Sequence, residues 1–156
     1  MINEINLPYG IHLNYPLKMT NANKIIEFLD RQTHMVIATT GNGIPEAALV
    51  GFASTSEFTL IFGTKTNSRK YKNIEQNPHV AIVFDDDKNI TVQYEGIAST
   101  LSDTELTQYK ELYFLKTPTS KKYENQPNQI YLKVIPSWIR YTNYQTNPNE
   151  IFEITL

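Results

Sequence analysis

The sequence predicts a mainly β domain that closes, or nearly closes, into an antiparallel barrel. Three observations carry this expectation. Apolar runs of strand length recur along the chain, each bounded by turn-forming residues. Helical spacing occurs in three short stretches. The 156 residues, 40% of them hydrophobic, suit one domain with one core, and no repeat, low-complexity block or Pro/Gly/Ser linker divides residues 1–156. Many strands with few helices favour a barrel over a layered α/β fold, and barrel mouths and seams are where ligands then sit.

The elements follow in order. Ala22, Ile25, Ile26 and Leu29 fall at helical spacing behind the capping residues Thr20 and Asn21. Strands at His34–Thr40 and Glu46–Ala53 flank a turn from Gly41 to Pro45 and read as a hairpin. A strand at Phe58–Thr64 leads through Asn67 and Ser68 into a helix that ends near Gln76, ahead of Pro78. Val80–Phe84 is the next strand, and Asp85 to Asn89 the next turn. Ile90, Val92 and Tyr94 then alternate with Thr91, Gln93 and Glu95, one face apolar and one polar. Ser102 and Glu105 form a capping-box pattern before a helix that carries Leu106, Tyr109, Leu112 and Tyr113 and closes at Pro118. Ile130–Tyr144 and Ile151–Leu156 read as strands, with a break or bulge at Pro136.

Composition narrows the function classes. The net charge of −2, with 19% charged residues, supplies no basic field for nucleic acid or an anionic membrane. With no cysteine there is no disulfide, thiolate metal site, iron–sulfur cluster or cysteine nucleophile, so redox chemistry would need a bound cofactor. Met1 to Leu17 lacks the apolar core of a signal peptide, and no run is long enough to span a bilayer; a soluble cytoplasmic protein is expected. His12, His34 and His79 show no metal-ligand spacing, so no metal site is expected. Asp85, Asp86 and Asp87 beside Lys88 read as a solvated turn. Gly41-Asn42-Gly43 precedes a strand, which excludes a dinucleotide fingerprint.

The segment Phe62-Gly63-Thr64-Lys65-Thr66-Asn67-Ser68-Arg69-Lys70 ends a strand and opens a helix. A helix N-terminus presents unpaired N–H groups and partial positive charge, and two cations in its first turn add like charge there. A bound anion would reconcile the arrangement; the alternative is that both side chains extend into water.

This stretch, continued as FGTKTNSRKYKNIEQNPHVAIVF to Phe84, resembles the phosphate-binding strand, turn and helix of the pyridoxamine 5'-phosphate oxidase family, and HMVIAT (His34–Thr39) is similar to the family strand along the isoalloxazine ring. The resemblance runs from about His34 to Leu101 and more weakly to Trp138. It implies a six-stranded antiparallel split β-barrel of Greek-key type with three short helices, flavin mononucleotide (FMN) as cofactor, and flavin-dependent oxidation or reduction of a small molecule. Arg69 and Lys70 would hold the flavin phosphate, with Gly63, Thr64 and Ser68 alongside. Met35, Val36, Ile37, Ala38 and Thr39 would lie along the ring, bordering it with the backbone of Val36 to Thr39. Thr91 stands where relatives carry a glutamine, and His34 where they carry a basic residue. Trp138 lines up with a family tryptophan that reaches the flavin of the opposite subunit, and a homodimer with two sites along its interface is implied.

No side chain is identified as catalytic. A deazaflavin-dependent reductase and a non-catalytic flavin- or haem-binding protein remain alternatives on the same barrel. Arg140 is followed by no histidine, whereas family oxidases grip the substrate phosphate with a C-terminal arginine-and-histidine segment; little pyridoxamine 5'-phosphate oxidase activity is therefore expected. The pocket left behind would be lined by Trp138, Tyr141 and Tyr144 and would suit an uncharged or aromatic molecule.

Overall fold

The computed structural model describes residues 20–86 and 88–156, together with two short paired strands, β1 (Ile5–Asn6) and β2 (His12–Leu13). Most of the Met1–Leu17 reading, and Asp87 of the acidic turn, lie outside the described residues. Helix α1 (Asn21–Arg31) starts at Thr20, whose hydroxyl accepts from the Asn23 amide, and buries Ile25, Phe28 and Leu29. Strands β3 (His34–Gly41) and β4 (Ile44–Ser54) form the expected hairpin in perfect register, from Gly41 opposite Ile44 to His34 opposite Gly51. Its turn is tighter than the sequence suggested. Only Asn42 and Gly43 are unpaired, both with positive φ (51° and 76°), as a two-residue Asn-Gly hairpin requires.

β5 (Leu60–Lys65) begins two residues later than expected, because Phe58 sits at φ 63° in a turn closed by the Thr59 carbonyl and the Thr55 amide. Helix α2 (Arg69–Gln76) follows, then β6 (His79–Asp85) and β7 (Ile90–Thr100). Helix α3 (Asp103–Lys116) has both halves of the Ser102/Glu105 capping box. A 3-10 helix over Pro118–Tyr123, which the sequence reading did not anticipate, precedes β8 (Gln129–Asn143) and β9 (Glu150–Thr155).

The strand order β5-β4-β3-β6-β7-β8 closes on itself through an antiparallel β5–β8 pairing, giving a six-stranded barrel; β9 extends the far half of β8. A barrel of this size has room inside only for side chains. Met35, Ile37, Phe52, Phe62, Phe84, Val92, Tyr94, Leu132 and Ile139 fill it, and Phe28 of α1 meets Phe84 and Tyr141 edge-on at 6.4 Å each. Each such side chain removed from water contributes about 1.5–3 kcal/mol. The buried Tyr94 hydroxyl donates to the carbonyls of Phe58 and Val134, and burial pushes its ionisation far above the ordinary tyrosine range.

The expected irregularity near Pro136 is a bulge. Gly96 lies opposite Pro136 and Glu95 opposite Trp138, so Ser137 is the extra residue, and its hydroxyl donates to the Glu95 carbonyl at 3.2 Å. Since side chains alternate along a strand, one extra residue switches faces. Leu132, Val134 and Pro136 are buried before the bulge; Ile139 and Tyr141 are buried after it.

Candidate functional site

The candidate residues fall into two groups joined by one side chain. The first lies where β5 meets α2. The hydroxyls of Thr64 and Ser68 are 3.1 Å apart, and Ser68 Oγ also accepts from the Tyr71 amide, capping the helix. The amides of Arg69 and Lys70, ahead of Tyr71, have no acceptor within the helix. The first turn holds no acid. Gly63 pairs with Tyr131 on β8. Arg69 projects outward, 83% exposed, with its Nε 3.3 Å from Glu46 Oε2, while Lys70 is half-buried.

The second group lies on the outer face of β3, β6, β7 and β8. Directly opposed residues of antiparallel strands share a face. The register therefore sets Leu49, Val36, Val83, Gln93 and Arg140 in one row and Ala47, Ala38, Ala81, Glu95 and Trp138 in the next. Val36, Ala38, Gln93, Glu95 and Trp138 surround a cleft of about 190 Å³ on this face. An adjoining cleft of about 290 Å³ lies between Thr40, Asn77, His79, Glu95 and Ser137 over a floor that includes Ala38 and Ala81. Met35, Ile37 and Thr39 point the other way, into the barrel. Thr91 lies on the outer face, opposite Asp85 and Thr142. The indole N–H of Trp138 donates to Glu153 at 3.2 Å, which ties the ring toward β9. Exposed His34 has its Nδ1 2.9 Å from the Thr33 hydroxyl.

Asn73 connects the groups. From α2 its Nδ2 donates to Thr39 Oγ1 (3.1 Å) on β3 and to Glu46 Oε2 (3.3 Å), the carboxylate oxygen that faces Arg69. The contact depends on Gly41, since a Cβ there would stand 2.1 Å from Asn73 Oδ1.

Residues 22–143, nearly the whole barrel and the elements of both groups, match the family described as pyridoxamine 5'-phosphate oxidase. The chain belongs to the pyridoxamine 5'-phosphate oxidase family. Among this family's curated members it is similar to the pyridoxine/pyridoxamine 5'-phosphate oxidase of Ehrlichia ruminantium (strain Welgevonden), 38% identical over 79 residues that cover 49% of this chain. The match covers 41% of that oxidase's length. Two solved structures share the family member's fold. General Stress Protein 26 from Bacillus anthracis is 24% identical with a TM-score of 0.69, over 87% of this chain and 100% of that one. A heme binding protein from Mycobacterium smegmatis is 15% identical with a TM-score of 0.74, over 89% and 60%.

Sequence reasoning missed three cleft residues of this family member, Gln93, Glu95 and His79. The signal for two was present, because both alternate with Val92 and Tyr94 on the polar side of β7. The expected pocket of Trp138, Tyr141 and Tyr144 is corrected. Tyr141 is buried in the barrel, stacked on Phe152 with centroids 4.8 Å apart, whereas Trp138 lies on the outer face and Tyr144 is exposed. The bulge at Ser137 is the cause, since beyond it odd-numbered positions point inward.

Proposed function

We propose that this family member binds FMN on the outer face of its barrel and acts as an oxidoreductase on a small organic molecule. The observation that carries the reading is the acid-free first turn of α2, where Arg69, Lys70 and the Ser68 cap offer cations and amides to a phosphate, linked by Asn73 to strand β3. These donors suit a phosphate monoester. The outer face of Val36 and Ala38 and the shallow, partly apolar cleft beside them suit one side of a planar ring. Bound flavin would supply the hydride or electron transfer; the protein contributes the clamp, the ring's orientation and the adjoining cleft as a place for substrate. That cleft carries Glu95 and His79 and, among the described residues, is lined by no lysine or arginine, which favours a neutral or cationic molecule over a phosphorylated one.

The active form in this reading is a homodimer. Side chains fill the barrel, so the flavin must lie outside it, and a ring on an open sheet face needs a second surface to exclude water. A second copy, through the same face, supplies one with two-fold symmetry.

Calorimetric titration tests the cofactor assignment. Replacing Arg69 or Lys70 by Ala is expected to weaken FMN roughly 10- to 100-fold, since each charge-assisted hydrogen bond contributes about 1.5–3 kcal/mol, and to leave riboflavin nearly unchanged. Equal loss for both ligands would remove the clamp. The absorption spectrum of freshly purified protein separates flavin from deazaflavin or haem.

A further inference from the structure

Glu46 has no place in the reading so far, yet among the described residues it is the acid that pairs with Arg69. It lies on β4 beside the hairpin turn, its side chain only 17% exposed, with one oxygen receiving Asn73 Nδ2 and facing Arg69 Nε, both at 3.3 Å. A carboxylate held this firmly is part of the scaffold. By engaging Nε, it leaves the two terminal nitrogens of the guanidinium for another acceptor, and a planar fork fixed at one corner loses less freedom on gripping an anion.

We infer that Glu46 is the positioning residue and built-in counter-anion of the phosphate clamp. This rests on the assignment of Arg69 to that clamp. Glu46 has two separable effects. Its hydrogen bonds hold Arg69 in place and, through Asn73 and Thr39, tie the clamp to strand β3. Its negative charge, one guanidinium away from the bound phosphate, repels that phosphate and lowers its affinity. Charges separated in this way near a surface shift binding by several-fold, an effect that salt reduces. Flavins without a phosphate feel neither effect. Glu46 therefore sets how strongly the site distinguishes FMN from riboflavin, and keeps the phosphate from being held as tightly as two adjacent cations would otherwise hold it.

The two effects separate in Glu46→Gln, whose amide oxygen accepts from both Asn73 and Arg69 without the charge, and Glu46→Ala, which removes charge and acceptor together. FMN and riboflavin are titrated by calorimetry into the intact chain, both variants and Arg69→Ala, at about 0.05 and 0.5 M salt. The expected result is FMN binding tightened ~3- to 10-fold in Glu46→Gln, with the gain shrinking at high salt, a smaller gain in Glu46→Ala, and riboflavin unchanged throughout. FMN affinity unchanged or weaker in Glu46→Gln while Arg69→Ala weakens it overturns the role of Glu46 and leaves the clamp standing. Equal shifts for FMN and riboflavin reduce Glu46 to a structural part and also overturn it. If Arg69→Ala leaves FMN binding untouched, the clamp and the role of Glu46 fall together.

Discussion

Two outer faces of the same barrel are treated differently. Where β5 and β8 meet, α3 lies over the strands, and Ala53, Ile61, Leu101, Tyr113 and Tyr131 are buried beneath it with Leu106, Tyr109, Leu112 and Phe114 packed alongside. Around β3, β6 and β7, no described element covers the sheet: Leu49 is 69% exposed, and Val36, Val83, Ile97 and Ile135 are open to solvent as well. Among the described residues the chain shields one apolar face with its own helix and leaves the second open, and exposed apolar patches of this kind are where ligands or other molecules commonly meet a protein. The bare face also holds the small residues, Ala38, Ala47 and Ala81, that let something approach the backbone closely.

The largest expected effect breaks the covered side. Tyr113→Ala removes a ring that lies 5.7 Å from Tyr131 and 5.6 Å from Phe114, and should cost about 3–5 kcal/mol in denaturant unfolding. Val83→Ala, on the bare side, should stay within about 0.5 kcal/mol when the protein is dilute enough to be monomeric. Val83→Lys sharpens the contrast. If a second copy covers this face, light scattering should report a dimer for the unaltered chain and a monomer for the variant, with the folded barrel retained.

A smaller effect probes a flaw on the covered side. The Tyr131 hydroxyl is buried with no hydrogen-bond partner among the described residues, and burial, with Glu124 and Tyr113 nearby, pushes its ionisation up to about 12. Removing it in Tyr131→Phe should leave stability unchanged or raise it by up to about 1 kcal/mol, because an unpaired buried polar group carries a desolvation cost. A loss in thermal melts would contradict that account.

The smallest effect concerns the anchorage of α3. A hydrogen bond from Lys133, with two more from Ser102, holds the Glu105 carboxyl at about 2, below its ordinary 4.5. The carboxylate's contribution is complete above about pH 4.5 and is lost as pH falls through about 2. Amide exchange in the first turn of α3 should quicken across that window, and Glu105→Gln should remove the dependence.

Most of the fold was legible because its signals are local. Thr20, Ser68 and Ser102 cap the helices that they precede in the sequence, Asn42-Gly43 marks the hairpin, and Val80 to Phe84 and Ile90 to Tyr94 alternate as half-buried strands. Phe58 misled because its aromatic ring suits a strand while its backbone takes a left-handed turn. The residues proposed to hold a phosphate were singled out from the strand-turn-helix order together with the family resemblance, but Glu46 and Asn73 could not be, since they are 27 residues apart and meet only when α2 packs beside the hairpin. Tyr141 was misplaced because Pro136 marks a break or bulge without telling which positions beyond it face inward.

Ser137 gives β8 two reading frames, one for its pairing with β5 and another for its pairing with β9. Deleting that one residue would remove no core side chain and would leave Trp138 opposite Glu95 and Tyr141 opposite Val92, merging the two frames into one regular ladder. A deletion elsewhere in the strand would instead set one half out of step with its neighbours and turn its inward side chains out. Each half is held by its own partners, and Ser137 is the slack between them.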